Sequence, residues 1–83
     1  MDTIKILFFA QTRDRLNCNE LDYPLAEDFS VAELKLQLQQ KNKIWQDVFQ
    51  GELLCAVNQQ LVSSEMKIHQ GDEVAFFPPV TGG

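Results

Sequence analysis

Residues 3–10 read Thr-Ile-Lys-Ile-Leu-Phe-Phe-Ala, and residues 73–77 read Glu-Val-Ala-Phe-Phe. In both stretches the side chains alternate between two faces, as they do in a β-strand, and the first stretch ends apolar on both faces. These hydrophobic first and last strands are predicted to be the central pair of one sheet. If they run parallel, they end at the same edge, and Phe9 and Phe77 come close together.

The clearest helix signal is the capping box formed by residues 30–33, Ser-Val-Ala-Glu. In this motif the serine side chain and the glutamate side chain each accept a hydrogen bond from the other residue's backbone N–H. Phe29 and Leu34 have the spacing of a hydrophobic staple, and the apolar stripe continues to Leu38. We expect this helix to end near residues 41–43 and a short extra turn to follow around Trp45.

The remaining segments complete an α+β fold. Residues 20–25, 53–57 and 61–62 are predicted to be strands, and the polar residues 11–19 a loop. One main helix against a mixed four- to five-stranded sheet is a two-layer roll of the β-grasp (ubiquitin-like) type. We expect residues 1–77 to form the β-grasp domain and residues 78–83 an extended C-terminal tail.

Length and charge exclude several functional classes. The chain has 83 residues, enough for one small domain but too few for two lobes with a cleft between them. Its net charge of −5 is unsuited to nucleic acid, since phosphate binding requires clustered cations. No apolar run approaches the roughly 20 residues of a membrane helix, and the N-terminus lacks the features of a secretory signal. We expect a cytoplasmic protein that binds neither nucleic acid nor membrane.

The chemically reactive residues do not form a recognisable active site. Cys18 and Cys55 are too few for a disulfide framework, and with His69 they do not give metal-ligand spacing, so no metal is expected. Cys55 is interpreted as a core residue, Cys18 as a loop residue and His69 as an exposed turn residue. A sulfur-bearing cysteine is the alternative.

Two features favour a partner-binding function. One helix covers only one face of the sheet, so Phe9 and Phe77, with Leu61 beside them, are expected to form an exposed apolar patch of the kind that binds proteins. The alternative is that the segment 45–49 covers them.

The second feature is the tail, Pro-Pro-Val-Thr-Gly-Gly at residues 78–83. The prolines favour an extended stem, and glycines without Cβ atoms fit a narrow tunnel. The α-carboxylate of Gly83 would become reactive toward a sulfur nucleophile once adenylated by ATP. A frayed terminus or an expression scar is the alternative.

The sequence resembles the family of molybdopterin synthase small subunits. Members of this family are ubiquitin-like sulfur carriers. The matching segments are Leu-Phe-Phe-Ala-Gln with Arg13 in residues 7–13, Ala-Val-Asn-Gln with Leu-Val in residues 56–62, and Gly-Asp-Glu-Val-Ala-Phe-Phe-Pro-Pro-Val-Thr-Gly-Gly in residues 71–83. The last segment is the most specific, and the three are distributed over the whole chain.

The resemblance implies a function and a set of site residues. Gly83 would be adenylated, converted to a thiocarboxylate (a covalent 1-thioglycine), and donate sulfur to cyclic pyranopterin monophosphate in molybdenum cofactor biosynthesis. Gly82, which also lacks a side chain, would leave the carbonyl of Gly83 accessible. The threaded stem would be Pro78, Pro79, Val80 and Thr81. Docking would use Phe9, Leu61 and Phe77, and Arg13 would pair with a partner carboxylate or remain a solvated loop charge.

The resemblance also implies partners. These are the large synthase subunit, in a heterotetramer of two small and two large subunits, a ubiquitin-activating-like adenylyltransferase, and a sulfur donor protein. The chain itself would bind no cofactor, since ATP is used by the activating enzyme. It would act as the sulfur-donating cosubstrate of a sulfurtransferase, with acid/base residues supplied by the large subunit.

Three alternatives share these features. A sulfur carrier for thiazole synthesis or tRNA thiolation would have the same fold and terminal glycines. A protein modifier would use the same adenylated glycine to form isopeptide bonds with lysines. An adaptor domain would have an inert tail.

Overall fold

A computed structural model of the chain describes residues 3–24 and 29–79. The helices are α1 (Ala10–Leu16), α2 (Val31–Gln39) and α3 (Lys43–Gln50). The strands are β1 (Thr3–Phe8), β2 (Glu20–Pro24), β3 (Phe29–Ser30), β4 (Leu54–Val57), β5 (Gln60–Val62), β6 (Lys67–Ile68) and β7 (Glu73–Phe77). No helix within these two ranges is both long and apolar enough to cross a membrane.

The first and last strands are the central pair of the main sheet, as predicted. Its strand order is β2-β1-β7-β4-β5. β1 and β7 are parallel, with Ile6 opposite Val74 and Phe8 opposite Phe76, and the other three pairings are antiparallel. The predicted α+β, β-grasp fold is confirmed, with three helices rather than one main helix. A separate pairing of two-residue strands, β3 with β6, was not predicted because two residues carry no periodic signal.

Helix α2 begins at the predicted capping box. The backbone N–H of Glu33 donates to Ser30 Oγ at 3.2 Å, and the N–H of Ser30 donates to Glu33 Oε1 at 3.1 Å. The Glu33 carboxylate also accepts from Ser30 Oγ at 3.1 Å, and the hydrogen bonds that it accepts from the Ser30 backbone N–H and hydroxyl lower the pKa of Glu33 from 4.5, because they favour the charged carboxylate. Val31, Leu34 and Leu38 form the buried stripe, and the helix ends at Gln39, slightly earlier than predicted.

Helix α3 is longer than the predicted short turn, and it covers the inner face of the sheet. The side chain of Asn42 caps it by accepting from the N–H of Trp45 at 3.1 Å. The Trp45 ring lies 5.4 Å from Phe8 between centroids, and Phe49 lies 5.2 Å from Phe76. The segment 45–49 therefore packs on Phe8 and Phe76, the inward-facing neighbours of Phe9 and Phe77. The alternative that it covers the outward-facing pair is wrong.

The prediction of a loop over residues 11–19 is wrong, because Ala10–Leu16 form helix α1. Thr12 and Leu16, one helical turn apart, are its buried residues. A single polar–apolar pair at this spacing gives no amphipathic pattern within a short polar stretch, so the sequence signal was lost. Asn17 ends the helix in the left-handed conformation, at φ 53°.

Candidate functional site

The face of the main sheet that points away from the helices carries a row of apolar residues. The strand register places Leu7 opposite Ala75, Ala75 opposite Ala56, and Ala56 opposite Leu61. Directly opposed residues in a sheet point to the same side. The row therefore crosses four strands, from β1 to β5. Leu61 is 68% exposed, and the other three residues are half-buried.

A second apolar row lies next to the first, toward the end of β7. Leu54 is directly opposite Phe77 on β4 and β7. Phe9 follows the last residue of β1, and its backbone N–H donates to the Phe76 carbonyl at 3.3 Å, which extends the parallel ladder by one step. Phe9 and Leu54 are 47% and 38% exposed. The two rows together are called the outer surface, which consists of Leu7, Phe9, Leu54, Ala56, Leu61, Ala75 and Phe77.

Polar residues bound the outer surface on two sides. Lys5 lies opposite both Asp22 and Glu73, on the same face of the sheet but toward the start of β7. The Lys5 ammonium is 3.4 Å from a carboxylate oxygen of Glu20, which lies opposite Leu7 on the edge strand β2. The apolar part of the face is thereby confined to the end where β7 leaves the sheet. An apolar patch with a polar rim is typical of a protein-docking site.

The tail leaves the sheet beside this surface. Pro78 and Pro79 directly follow Phe77 and are half-buried. Neither proline can donate to a ladder, so β7 ends at Phe77. The predicted stem residues Val80 and Thr81 and the predicted sulfur-carrying Gly82 and Gly83 lie outside the described residues. Their roles remain predictions.

The structure places Phe9, Leu61 and Phe77, the three residues predicted to dock partners, on one face of the sheet. Phe9 and Phe77 lie at the ends of the adjacent strands β1 and β7, whereas Leu61 lies on β5, two strands away from β7. Their location on one face of the sheet is as expected from the alternation along β1 and β7, while their binding role remains a prediction. Leu54 was missed, although it shares its face with Ala56 at period two. Local alternation does not say which face of a strand is covered by helices, so its exposure became evident only from the register with Phe77.

Arg13 lies on helix α1 rather than in the predicted loop. Its Nε atom is 3.6 Å from Asp14 Oδ1, and both side chains are largely solvent-exposed, so this ion pair contributes little stability. Arg13 and Asp14 border a polar cavity of about 240 Å³, which is also lined by Asn17, Cys18 and Asn19. The docking role predicted for Arg13 is not tested by these contacts.

The two cysteines differ in burial. Burial raises the pKa of the Cys55 thiol to about 11, because the desolvated thiolate is disfavoured, and the charge of Lys35 opposes this only in part. Cys55 is therefore the core residue that was predicted. Cys18 is half-buried, and its Sγ donates to the Glu20 carbonyl at 3.3 Å. Over residues 3–24 and 29–79, no three potential metal ligands cluster.

His69 is exposed in a turn, as predicted. Its backbone N–H donates to Asp72 Oδ2 at 2.8 Å, and its ring Nδ1 lies 4.0 Å from the same oxygen. The other oxygen of Asp72 accepts from the side chain of Asn58 at 3.0 Å, which ties the β4–β5 hairpin to the turn before β7. This cluster lies at the start of β7, at the opposite end of that strand from the outer surface.

Comparisons with known proteins identify the relatives of the chain. The model of the ThiS family matches residues 6–83. A curated relative from Haemophilus influenzae, named molybdopterin synthase sulfur carrier subunit, is 44% identical over 82 residues, which are 96% of this chain and 99% of that protein. A relative of the same name from Escherichia coli is 45% identical over 82 residues, with the same coverage.

Solved structures show the same fold at lower identity. SAMP1 from Haloferax volcanii has a TM-score of 0.79 at 20% identity, over 98% of this chain and 99% of its own. Small archaeal modifier protein 1 from Methanosarcina acetivorans has a TM-score of 0.75 at 22% identity, over 100% of this chain and 98% of its own. At these identities the likeness concerns the fold alone.

Proposed function

This chain belongs to the ThiS family and to the family of molybdopterin synthase sulfur carrier subunits, and on that basis we propose that it delivers sulfur from a thiocarboxylate on Gly83 to cyclic pyranopterin monophosphate. The observation that carries the proposal is the position of the outer surface. A partner that docks there holds the stem beginning at Pro78 and Pro79 next to its own active site.

The chemistry begins with activation of a poor electrophile. The carboxylate of Gly83 attacks the α-phosphorus of ATP and releases pyrophosphate, which gives an acyl-adenylate. Hydrosulfide supplied by the donor protein then attacks the acyl carbon and displaces AMP, which leaves the thiocarboxylate. Because Gly83 has no side chain, attack at its carbonyl is unhindered. A separate adenylyltransferase catalyses the first step, so ATP is bound by that enzyme.

Transfer to the pterin takes place on the large synthase subunit. The thiocarboxylate sulfur forms a bond to a side-chain carbon of the pterin as an oxygen substituent leaves that carbon. Water then hydrolyses the acyl–sulfur bond, which returns Gly83 to a carboxylate and leaves the sulfur on the pterin. Two such transfers supply the two sulfurs of the dithiolene. The large subunit provides the acid/base groups, so the small chain serves as a cosubstrate. The assembly is a heterotetramer of two small and two large subunits.

The adenylyltransferase and the large subunit use the same outer surface in turn. Each of them must receive the tail in its active site, and the tail leaves the sheet beside only one apolar face of the described domain. Phe9, Leu61 and Phe77 therefore dock both proteins, with Leu54 as a further contact. Binding of the two partners is mutually exclusive, so the thiocarboxylated chain must dissociate from the adenylyltransferase before it binds the large subunit.

A single-turnover reaction tests the proposal. Thiocarboxylated chain, the large subunit and cyclic pyranopterin monophosphate are mixed, and the sulfur content of the pterin is measured with the state of Gly83. The proposal predicts that sulfur appears in the pterin as Gly83 returns to a carboxylate. The proposal would be overturned if the chain bound a thiazole synthase and donated its sulfur there instead, or if it formed lysine-linked conjugates without sulfur transfer.

The matched control is a chain lacking Gly83. It is expected to give no sulfur transfer while its urea melt stays nearly unchanged, because a terminal glycine has no side chain whose burial could contribute to stability. A large loss of stability on removing Gly83 would show that the tail belongs to the folded domain and would contradict its role as a delivered arm.

A further inference from the structure

Ala10 has a left-handed backbone conformation at the junction between β1 and α1. Its φ angle is 55°. This region is unfavourable for an L-residue with a Cβ atom unless it is asparagine or aspartate, whose side chains offset the cost by local hydrogen bonds. Of the other non-glycine residues with positive φ in the described ranges, Asn17 and Asn58 are of that kind, and Gln59 lies beside Asn58 in the β4–β5 turn. Alanine has no such compensation, so the surrounding contacts must hold Ala10 in place.

Two hydrogen bonds on either side of this junction fix the backbone of Phe9. The N–H of Phe9 donates to the carbonyl of Phe76 in the sheet at 3.3 Å, and the carbonyl of Phe9 accepts from the N–H of Arg13 in α1 at 3.3 Å. The change from strand to helix is therefore made at Ala10 alone. Thr12 and Leu16 are buried and anchor α1 against the core. Phe9 itself is 47% exposed, so a fixed backbone carries an exposed aromatic ring.

We propose that Ala10 is a positioning residue that holds Phe9 ready for docking on the outer surface. The inference rests on the proposed function, because the partner is the large synthase subunit. An exposed anchor whose backbone is already fixed loses less conformational freedom on binding, and this increases affinity. Glycine at position 10 would relieve the Cβ strain but give the junction more conformations in the free protein. Asparagine tolerates the left-handed region and would keep the junction fixed.

Four variants test the proposal by calorimetry with the purified large subunit. They are Ala10→Gly, Ala10→Asn, Phe9→Ala and the double variant Ala10→Gly/Phe9→Ala. Ala10→Gly is expected to bind about three- to tenfold more weakly, the cost of ordering one side chain and its backbone. Its urea midpoint is expected to be unchanged or higher. Ala10→Asn should bind within about twofold of the parent, and the double variant should bind as Phe9→Ala does.

The outcomes separate this inference from the proposed docking surface. If Phe9→Ala weakens binding but Ala10→Gly does not, the positioning role of Ala10 is wrong, while the assignment of the outer surface as the docking site is supported. If the effects of the two substitutions add, Ala10 does not act through Phe9, and the inference is again wrong. If Phe9→Ala binds with full affinity, Phe9 is not a docking contact and the positioning role is wrong.

A measurement without a partner provides an independent test. Side-chain couplings of isotopically labelled Phe9 report whether χ1 occupies one rotamer or averages over several. We expect one dominant rotamer in the parent and in Ala10→Asn, and averaging in Ala10→Gly. Equal averaging in the parent and Ala10→Gly would overturn the positioning role, whichever protein the chain binds.

Discussion

Phe77 lies directly opposite Leu54 on the outer face of the sheet, one residue after Phe76, which points into the core. The boundary between the core face of the sheet and the outer surface therefore runs between two adjacent phenylalanines of β7. Phe76 is fully buried against Phe8 and Phe49, whereas Phe77 is half-buried and adjoins the prolines of the tail.

Replacing these two phenylalanines by alanine should therefore affect different properties of the protein. Phe77→Ala is expected to weaken binding to the large subunit by about 1–3 kcal/mol, the range for truncating an interface anchor, with a smaller loss of folding stability. Phe76→Ala is expected to destabilise the fold by about 3–5 kcal/mol, because it leaves a cavity in the core. Calorimetry and urea melts measure the two effects. Unchanged affinity for Phe77→Ala would remove Phe77 from the docking site.

Leu54 should contribute to docking without contributing much to folding. Its side chain is 38% exposed and extends the surface around Phe77. Leu54→Asp is expected to weaken the complex at least tenfold, because it places a charge in an apolar contact that excludes water. Leu36→Asp on α2 is the matched control, since Leu36 is 59% exposed and lies away from the sheet's outer face. Equal losses of affinity in the two variants would indicate a general charge effect rather than a contact at Leu54.

The capping box of α2 should make part of the stability depend on pH. Because the pKa of Glu33 is lower in the folded state than its ordinary value of 4.5, its contribution is fully present above pH 4.5 and is lost as the pH falls through the lower, folded value. Ser30→Ala is expected to cost about 0.5–2 kcal/mol at pH 7, as for other N-cap residues.

Urea melts from pH 7 down to pH 3 measure both effects of this capping box. The difference in stability between the parent and Ser30→Ala should shrink at the acidic end. A difference that stays constant with pH would show that Glu33 takes no part in the cap.

The two cysteines should be alkylated at different rates in the native protein. Cys55 is buried and its pKa is raised to about 11, so at pH 8 roughly one thiol in a thousand is ionised. Cys18 is half-buried at the surface cavity. Iodoacetamide at pH 8, followed by peptide mass spectrometry, should label Cys18 first, and denaturant should make both reactive. Faster native labelling of Cys55 would contradict its place in the core.

The parts of the fold that were predictable are those with a strong local signal. Alternation identified β1 and β7 because their inward residues, such as Ile6 and Phe76, are large and apolar. The Ser30–Glu33 motif located the start of α2 because capping is a local interaction. Helix α1 was missed because its burial depends on Thr12 and on a distant core, neither of which leaves a local pattern.

The candidate site was predictable to a similar extent. Phe9, Leu61 and Phe77 were identified because an uncovered sheet face leaves apolar residues without a core. Leu54 and the left-handed Ala10 could not be predicted, since the first requires the register between β4 and β7 and the second the backbone geometry of the β1–α1 junction.

The most direct test of the central claim is mass spectrometry of the C-terminal peptide after incubation with ATP, the activating enzyme and a sulfur donor. The mass of the intact protein is not sufficient, because the exchange of oxygen for sulfur is nearly isobaric with the oxidation of Met1 or Met66, so the modification is localised in the C-terminal peptide. We predict a sulfur substitution localised to Gly83 that depends on ATP. An unmodified Gly83, under conditions in which the same enzyme charges a known carrier, would contradict the account.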